Sequence, residues 1–101
     1  MHDDALQTFP QFRTWAVVGV STDREKYGNK IYRQLKAANY RVFAVNPKLD
    51  EVEGEPCYPS LEALPIRPDV VNVVVPPQVG VQVVDECVRL GIQRIWFQPG
   101  A

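Results

Sequence analysis

The stretch Trp15-Ala-Val-Val-Gly-Val-Ser-Thr-Asp-Arg-Glu-Lys-Tyr-Gly28 decides how this chain is read, because an apolar run breaks abruptly into a polar one. The break predicts a buried strand over about 15 to 20, a wide turn opened by glycine, and a helix beginning near Asn29. The first backbone N–H groups of a helix lack intrahelical acceptors and lie at the positive end of its macrodipole, so this order of elements suits an anion. Gly19 keeps the turn bare enough for a ligand to approach the backbone, while Ser21, Arg24 and Lys26 offer hydroxyl and cationic donors. The first expectation is a nucleotide-type ligand.

Downstream, Ile31, Leu35 and Ala38 recur at i, i+4, i+7 and place one apolar face on a helix from about Gly28 to Ala38, with Asn39 as a left-handed stop. A second strand covers 41 to 45 and ends at Asn46-Pro47-Lys48. Strand, helix and strand in one unit make a parallel pair with a right-handed crossover. Residues 46 to 68 hold most of the prolines and predict a loop-rich connection with one helical turn at 60 to 64, where Glu55, Ser60 and Glu62 look solvated. Val70 to Val75 is a third buried strand, and Pro76-Pro77 stops it and presets a helix start. That helix runs from about Val79 to Leu90, with Val79, Val83, Cys87 and Leu90 on one face and Gly91 closing it. A fourth strand follows at 94 to 97, then the loop Gln98-Pro99-Gly100-Ala101. Upstream, Ala5, Leu6, Phe9 and Phe12 around Pro10 predict a short N-terminal helix packed on the domain by its aromatics.

Four parallel strands alternating with helices form an open α/β sheet. If the third strand lies on the far side of the first, the strand order reverses there, and ligands bind outside the carboxyl ends of the strands at such a switch point. That edge would collect residues 19 to 29, 46 to 48, 75 to 79 and 98 to 101.

At 101 residues, with 46% hydrophobic and 23% charged, the chain reads as one globular domain, its core over 14 to 101 and a helical extension over 1 to 13. Eleven basic against twelve acidic residues leave a net charge of −1, so no global field draws it to nucleic acid or anionic lipid. Its apolar runs are strand-sized and its N-terminus is acidic, so neither a membrane span nor a signal peptide is expected, and a cytoplasmic location follows. Cys57 and Cys87 are isolated and His2 stands alone, which argues against a metal site. No G-x-x-x-x-G-K-[ST] loop supports ATP hydrolysis, and no nucleophile sits beside a general base, so the expectation is a protein without a catalytic residue of its own. The spacing Gly19-x-Ser21, with no acid ending the second strand, disfavours a plain NAD site. Lys48 puts a cation where a ribose phosphate would sit, which suits either NADP, and so an oxidoreductase, or the 3′-phospho-ADP half of coenzyme A.

Val17-Val-Gly-Val-Ser21, Lys26-Tyr27-Gly28-Asn29, Val45-Asn46-Pro47-Lys48, Gly54-Glu-Pro-Cys-Tyr-Pro-Ser-Leu61, Val74-Val75-Pro76-Pro77 and Trp96-Phe97-Gln98-Pro99-Gly100-Ala101, in that order, resemble the small stand-alone CoA-binding proteins. Those are Rossmann-like, three-layer α/β/α domains similar to the CoA-binding part of the succinyl-CoA synthetase α-subunit. The resemblance implies coenzyme A or an acyl-CoA held by the Gly19-Val20-Ser21 turn, with Lys26 and Asn29 near the phosphates and Arg24, Tyr27 and Gly28 as further candidate binding residues of the same segment. It further implies Asn46-Pro47-Lys48 around the ribose and adenine end and Val75-Pro76-Pro77 against the pantetheine side, with Val79, Gln98, Pro99 and Gly100 as further candidate binding residues on the same edge. It implies a binding protein rather than an enzyme, with a small-molecule nucleotide ligand and an acyl-CoA synthetase-type partner.

Family members usually continue past the Gln-Pro-Gly-Ala turn with another helix and strand, so the chain reads either as shortened at its C-terminus or as a minimal version of the domain. The last strand, carrying Trp96 and Phe97, would then be an unprotected edge that favours a homodimer. Light scattering on the 101-residue chain checks this: a dimer mass is expected, and a monomer mass counts against it.

Overall fold

The computed structural model describes residues 13–97. The N-terminal helix expected over 3 to 13 and the loop Gln98-Pro99-Gly100-Ala101 lie outside the described residues. Strand β1 (Thr14–Val18) leads to helix α1 (Tyr27–Ala37), then β2 (Arg41–Val45), β3 (Glu51–Val52), β4 (Glu55–Tyr58), β5 (Val70–Val73), helix α2 (Pro77–Leu90) and β6 (Arg94–Phe97). Two strands end earlier than their apolar runs. At β1 the chain turns at Gly19, whose φ of 102° is in the left-handed half of the map. At β5 the ladder stops at Val73, although the Val74 N–H still reaches the Val18 carbonyl at 2.8 Å before the chain bends into Pro76. α2 begins two residues before the expected Val79, because Pro77 fits the first helical position and the N–H groups of Val79 and Gly80 both bond the Pro76 carbonyl. Gly91 closes the helix with φ 76°, and Asn39 ends the segment after α1 with φ 70°.

The sheet order is β3-β4-β2-β1-β5-β6. β1 pairs in parallel with β2 on one side and β5 on the other, so the order reverses at β1 as the switch-point reading requires. β6 joins β5 in parallel, with Asn72 opposite Trp96 and Val73 opposite Phe97. The expected loop after β2 instead contains a hairpin: β3 runs antiparallel to β4, and β4 pairs in parallel with β2 at Ala44↔Cys57 and Val45↔Tyr58. Glu53 and Gly54 both have positive φ, 52° and 77°, as a two-residue primed turn needs. The helical turn expected at 60 to 64 is a pair of successive turns, Ala63 N–H to Ser60 O and Leu64 N–H to Leu61 O.

Three layers result. On one face α1 lays Ile31 and Tyr32 on Val17, Val20 and Ala44, with Val52 and Cys57 from the hairpin sealing that cluster. On the other, α2 lays Val83 and Cys87 on Ala16, Val18, Val71 and Val73. β1 and β5 are buried on both faces, which is why their sequences are predominantly apolar rather than alternating, with Asn72 the buried polar residue of β5. β6 stands at the sheet edge among the described strands, with Trp96 52% and Phe97 55% exposed.

Both cysteines are free and buried. Burial pushes the Cys87 thiol up from 9.0 to about 11, with Glu86 adding to the effect. Burial likewise raises Tyr32 from 10.0 to about 12, aided by Glu55, Cys57 and Glu53. A folded-state pKa above its unfolded value means the native state holds the proton more tightly, so this contribution is complete below the unfolded value and lost as pH climbs through the folded one. Urea midpoints should therefore hold steady up to about pH 9 and fall between about pH 9 and 12. A midpoint unchanged to pH 11 would contradict the buried, protonated state assigned to both groups.

Candidate functional site

The carboxyl ends of β1, β2 and β5 meet the first turns of α2 around a cleft of about 420 Å³. Gly19, Asn46, Pro47, Lys48, Val75, Pro76 and Val79 line it, so three of the four segments expected at this edge contribute. Its floor is set by a close approach. Gly19 donates its N–H to Val45 O at 2.9 Å, and a Cβ added there would collide with the Val74 carbonyl. Gly28 meets the same turn from the other side: a Cβ on it would lie against Gly19 O and Val20 Cα. Glycine at both positions lets the first turn of α1 sit directly on the loop after β1.

Neither helix starts with a side-chain cap, and neither has an acid in its first turn. Both N-terminal ends therefore keep their partial positive charge at the carboxyl edge of the sheet. The loop after β2 is rigid by virtue of one side chain. Asn46 donates through Nδ2 to Val20 O at 2.9 Å and accepts at Oδ1 from the Lys48 N–H at 2.9 Å, while its own N–H bonds Tyr58 O at 2.9 Å. Lys48 is thus held at the cleft by its backbone, with its side chain exposed.

The remaining expected residues divide by position. Val20 packs into the core cluster under α1, so only its backbone faces the turn. Asn29 is fully buried, and its amide is engaged within the protein: Nδ2 donates to Ser21 O at 2.7 Å and to Glu53 at 3.2 Å, while Oδ1 accepts from Arg33 Nε at 2.7 Å. Its side chain shapes the loop from inside. Ser21 Oγ accepts the Asp23 N–H at 3.0 Å, and Asp23 accepts the Glu25 N–H at 2.9 Å, folding residues 21 to 26 into tight local turns. Arg24 and Lys26 on this adjoining loop and Tyr27 at the start of α1 are exposed, outside the cleft lining. Arg24 Nε lies 3.7 Å from the Glu53 carboxylate. The hairpin turn thereby reaches back to the loop after β1. Pro77 is the first residue of α2, and Gln98, Pro99 and Gly100 lie outside the described residues.

Seven further residues line the cleft without having been expected there: Val18, Val45, Pro59, Ser60, Gln82, Val83 and Glu86. The helical period buries Val83 and Cys87 in the core and puts Gln82 and Glu86 one position round, on the cleft side, while Val79, expected on the same apolar face, is 41% exposed at the cleft. Glu86 accepts the Glu62 N–H at 3.1 Å and so ties the loop after β4 to α2. Among the described residues, no group of three His, Cys, Asp or Glu is placed to hold a metal ion, and no helix is long and apolar enough to cross a membrane. The Cys57 thiol, raised by burial, points at the Asn46 carbonyl at 3.8 Å.

An open, three-layer α/β sheet with uncapped helix starts and a glycine-floored cleft at its switch point defines a Rossmann-like nucleotide-binding domain. The chain belongs to the CoA binding domain family, which it matches over residues 13–101, and coenzyme A is the cofactor that goes with that membership. It is 40% identical over 78 residues to acetate–CoA ligase (ADP-forming) I of Archaeoglobus fulgidus, covering 77% of this chain and 11% of the ligase. The chain thus spans about a tenth of the length of that curated relative. Among solved structures, a conserved hypothetical protein from Pyrococcus furiosus is 49% identical with a TM-score of 0.83, covering 89% of this chain and 78% of that one. A hypothetical protein from Pyrococcus horikoshii OT3 is 30% identical with a TM-score of 0.89, covering 100% and 72%.

The close approach at Gly19 generates a prediction. Gly19→Ala adds a Cβ against the Val74 carbonyl at a φ of 102° that alanine rarely adopts. It should cost about 2 kcal/mol or more, and move the amide resonances of both Val45 and Val74. Wild-type melting behaviour in this variant would show that the turn has room the structure denies it.

Proposed function

We propose that this chain is a cytoplasmic, non-catalytic module that binds coenzyme A or an acyl-CoA by its nucleotide phosphates at the carboxyl edge of the sheet. The observation that carries the reading is the cleft itself: a cation on a rigid loop, the uncapped start of α2 and a glycine floor line it, and the uncapped start of α1 packs on the same glycine turn, in a member of the CoA binding domain family. The Gly19-Val20-Ser21 turn and the start of α1 are assigned to the phosphates, with Arg24 and Lys26 on the adjoining loop and Tyr27 at that helix start. Lys48 and Asn46-Pro47 are assigned to the ribose and adenine end. Val75, Pro76, Pro77 and Val79 are assigned to the pantetheine, and Gln98, Pro99 and Gly100, outside the described residues, are assigned to the ligand as well.

A binding role without chemistry is supported by what lines the cleft. Its ionisable side chains are Lys48, on an exposed loop, and Glu86, whose carboxylate already accepts a backbone N–H. Neither is paired with a nucleophile. The partner assigned is an acyl-CoA synthetase-type subunit, because the curated ligase relative carries the matching region within a chain about nine times longer. Self-association through β6 is the competing arrangement, which the light-scattering mass separates from it.

Titration calorimetry with CoA, NADP and NAD tests the reading. Binding of CoA with little response to the nicotinamide nucleotides is the expected result, and NADP binding alone would make the chain part of an oxidoreductase. Lys48→Glu should weaken CoA binding roughly tenfold or more at low salt, by placing a negative charge beside a phosphate, and the loss should shrink as salt rises. An unchanged affinity would remove Lys48 from the site.

A further inference from the structure

The cleft is built on the carboxyl ends of neighbouring strands, so the sheet order also orders its walls. β2 delivers Asn46, Pro47 and Lys48 to one side of the Gly19 turn, and β5 delivers Val75 and Pro76 to the other, where α2 begins. From there α2 lines the cleft with Val79, Gln82, Val83 and Glu86, the i, i+3, i+4 and i+7 positions of one helix face. Val79 and Val83 are apolar, and the Glu86 carboxylate accepts the Glu62 N–H at 3.1 Å. Gln82 is exposed, and its side-chain amide has no partner among the described residues. It is therefore the uncommitted polar side chain that α2 turns to the cleft, and it stands about 4.5 Å along the helix axis from Val79.

We infer that Gln82 is a specificity-determining residue, whose side chain recognises the amide groups of the pantetheine arm and so selects coenzyme A over nucleotides that share its 3′-phospho-ADP end but lack the arm. The inference rests on the CoA reading above and adds the group that reads the neutral half of the ligand. Pantetheine carries no charge; its two amides are joined by methylenes and a carbon bearing two methyl groups. An amide drawn out of water brings an N–H and a C=O that both need partners, and leaving them unpaired costs free energy. A glutamine side chain is itself an amide and can donate and accept at once, whereas a lysine there would only donate and a glutamate only accept. The apolar parts of the arm meet Val75, Val79 and Val83 on the same wall. This contact is neutral, so it adds to the electrostatic attraction from Lys48 without depending on it.

Titration of the chain and of Gln82→Leu with CoA and with adenosine 3′,5′-bisphosphate tests this, by calorimetry for CoA and by amide chemical shifts for the weaker bisphosphate. Leucine is a good helix former and replaces an exposed side chain, so the melting temperature should not change. Gln82→Leu should bind CoA about five- to tenfold more weakly, as the loss of one or two neutral hydrogen bonds requires. Its affinity for the bisphosphate should stay within about twofold of wild type, since that ligand never reaches Gln82. The CoA loss should be equal at low and high salt, unlike that of Lys48→Glu. An unchanged CoA affinity in Gln82→Leu, an equal loss for both ligands, or a loss that fades with salt would overturn the inference while leaving the CoA reading intact. Failure of either ligand to bind the wild type would overturn recognition of CoA by its nucleotide phosphates, and the inference with it.

Discussion

The contact at Gly19 is the constraint on which the rest of the site depends. There β1 leaves the sheet, and the backbone passes so close to Val74 and Val45 that no side chain fits. The same glycine carbonyl receives the first turn of α1 at Gly28, so strand, turn and helix are packed backbone to backbone. A helix start brought that near the end of a central strand aims its unpaired amides along the edge where β1 parts β2 from β5. The cleft exists because these elements cannot be spaced more loosely. A larger residue at either glycine would push the helix start away from the switch point and open the packing that floors the cleft.

Around that contact, polar side chains work as braces. Asn46 spends its whole amide holding the loop after β2 to the loop after β1, which fixes the backbone of Lys48 beside Gly19. Asn29 does the same from beneath, joining Ser21, Arg33 and the hairpin residue Glu53. Glu53 accepts a left-handed φ of 52°, which glutamate adopts at a cost, and its carboxylate reaches both Asn29 and Arg24. The hairpin therefore supports the loop after β1 as well as extending the sheet. Buried polar groups fully satisfied in this way rigidify a loop that apolar packing alone leaves free.

Much of the fold was legible because its punctuation is strong. Apolar runs at 15–18 and at 70–73, the latter interrupted by Asn72, mark central parallel strands, and Gly19, Asn39, Pro76 and Gly91 mark where each element stops. The hairpin was not legible. Its strands bury Val52 and Cys57 against the core, too few apolar residues to set a period, and its turn is Glu-Gly rather than the Asn-Gly or Asp-Gly that announces a hairpin. At the site, Gly19, Asn46, Lys48 and Pro76 were readable because loops at strand ends carry turn residues. Gln82, Glu86 and Ser60 were not, since they join the cleft only through the angle at which α2 and the loop after β4 cross the sheet edge. Asn29 looked like a ligand-facing amide in sequence, and only the fold reveals that it points inward.

The most direct test of the account is an amide chemical-shift titration of the chain with CoA. Bound phosphates at the switch point predict the largest perturbations at Gly19, Val20, Gly28 and Lys48, with smaller ones along α2 from Val79 to Glu86. Perturbations concentrated instead in the hollow lined by Tyr32, Tyr40, Phe43 and Tyr58, at the other end of β2, would contradict it.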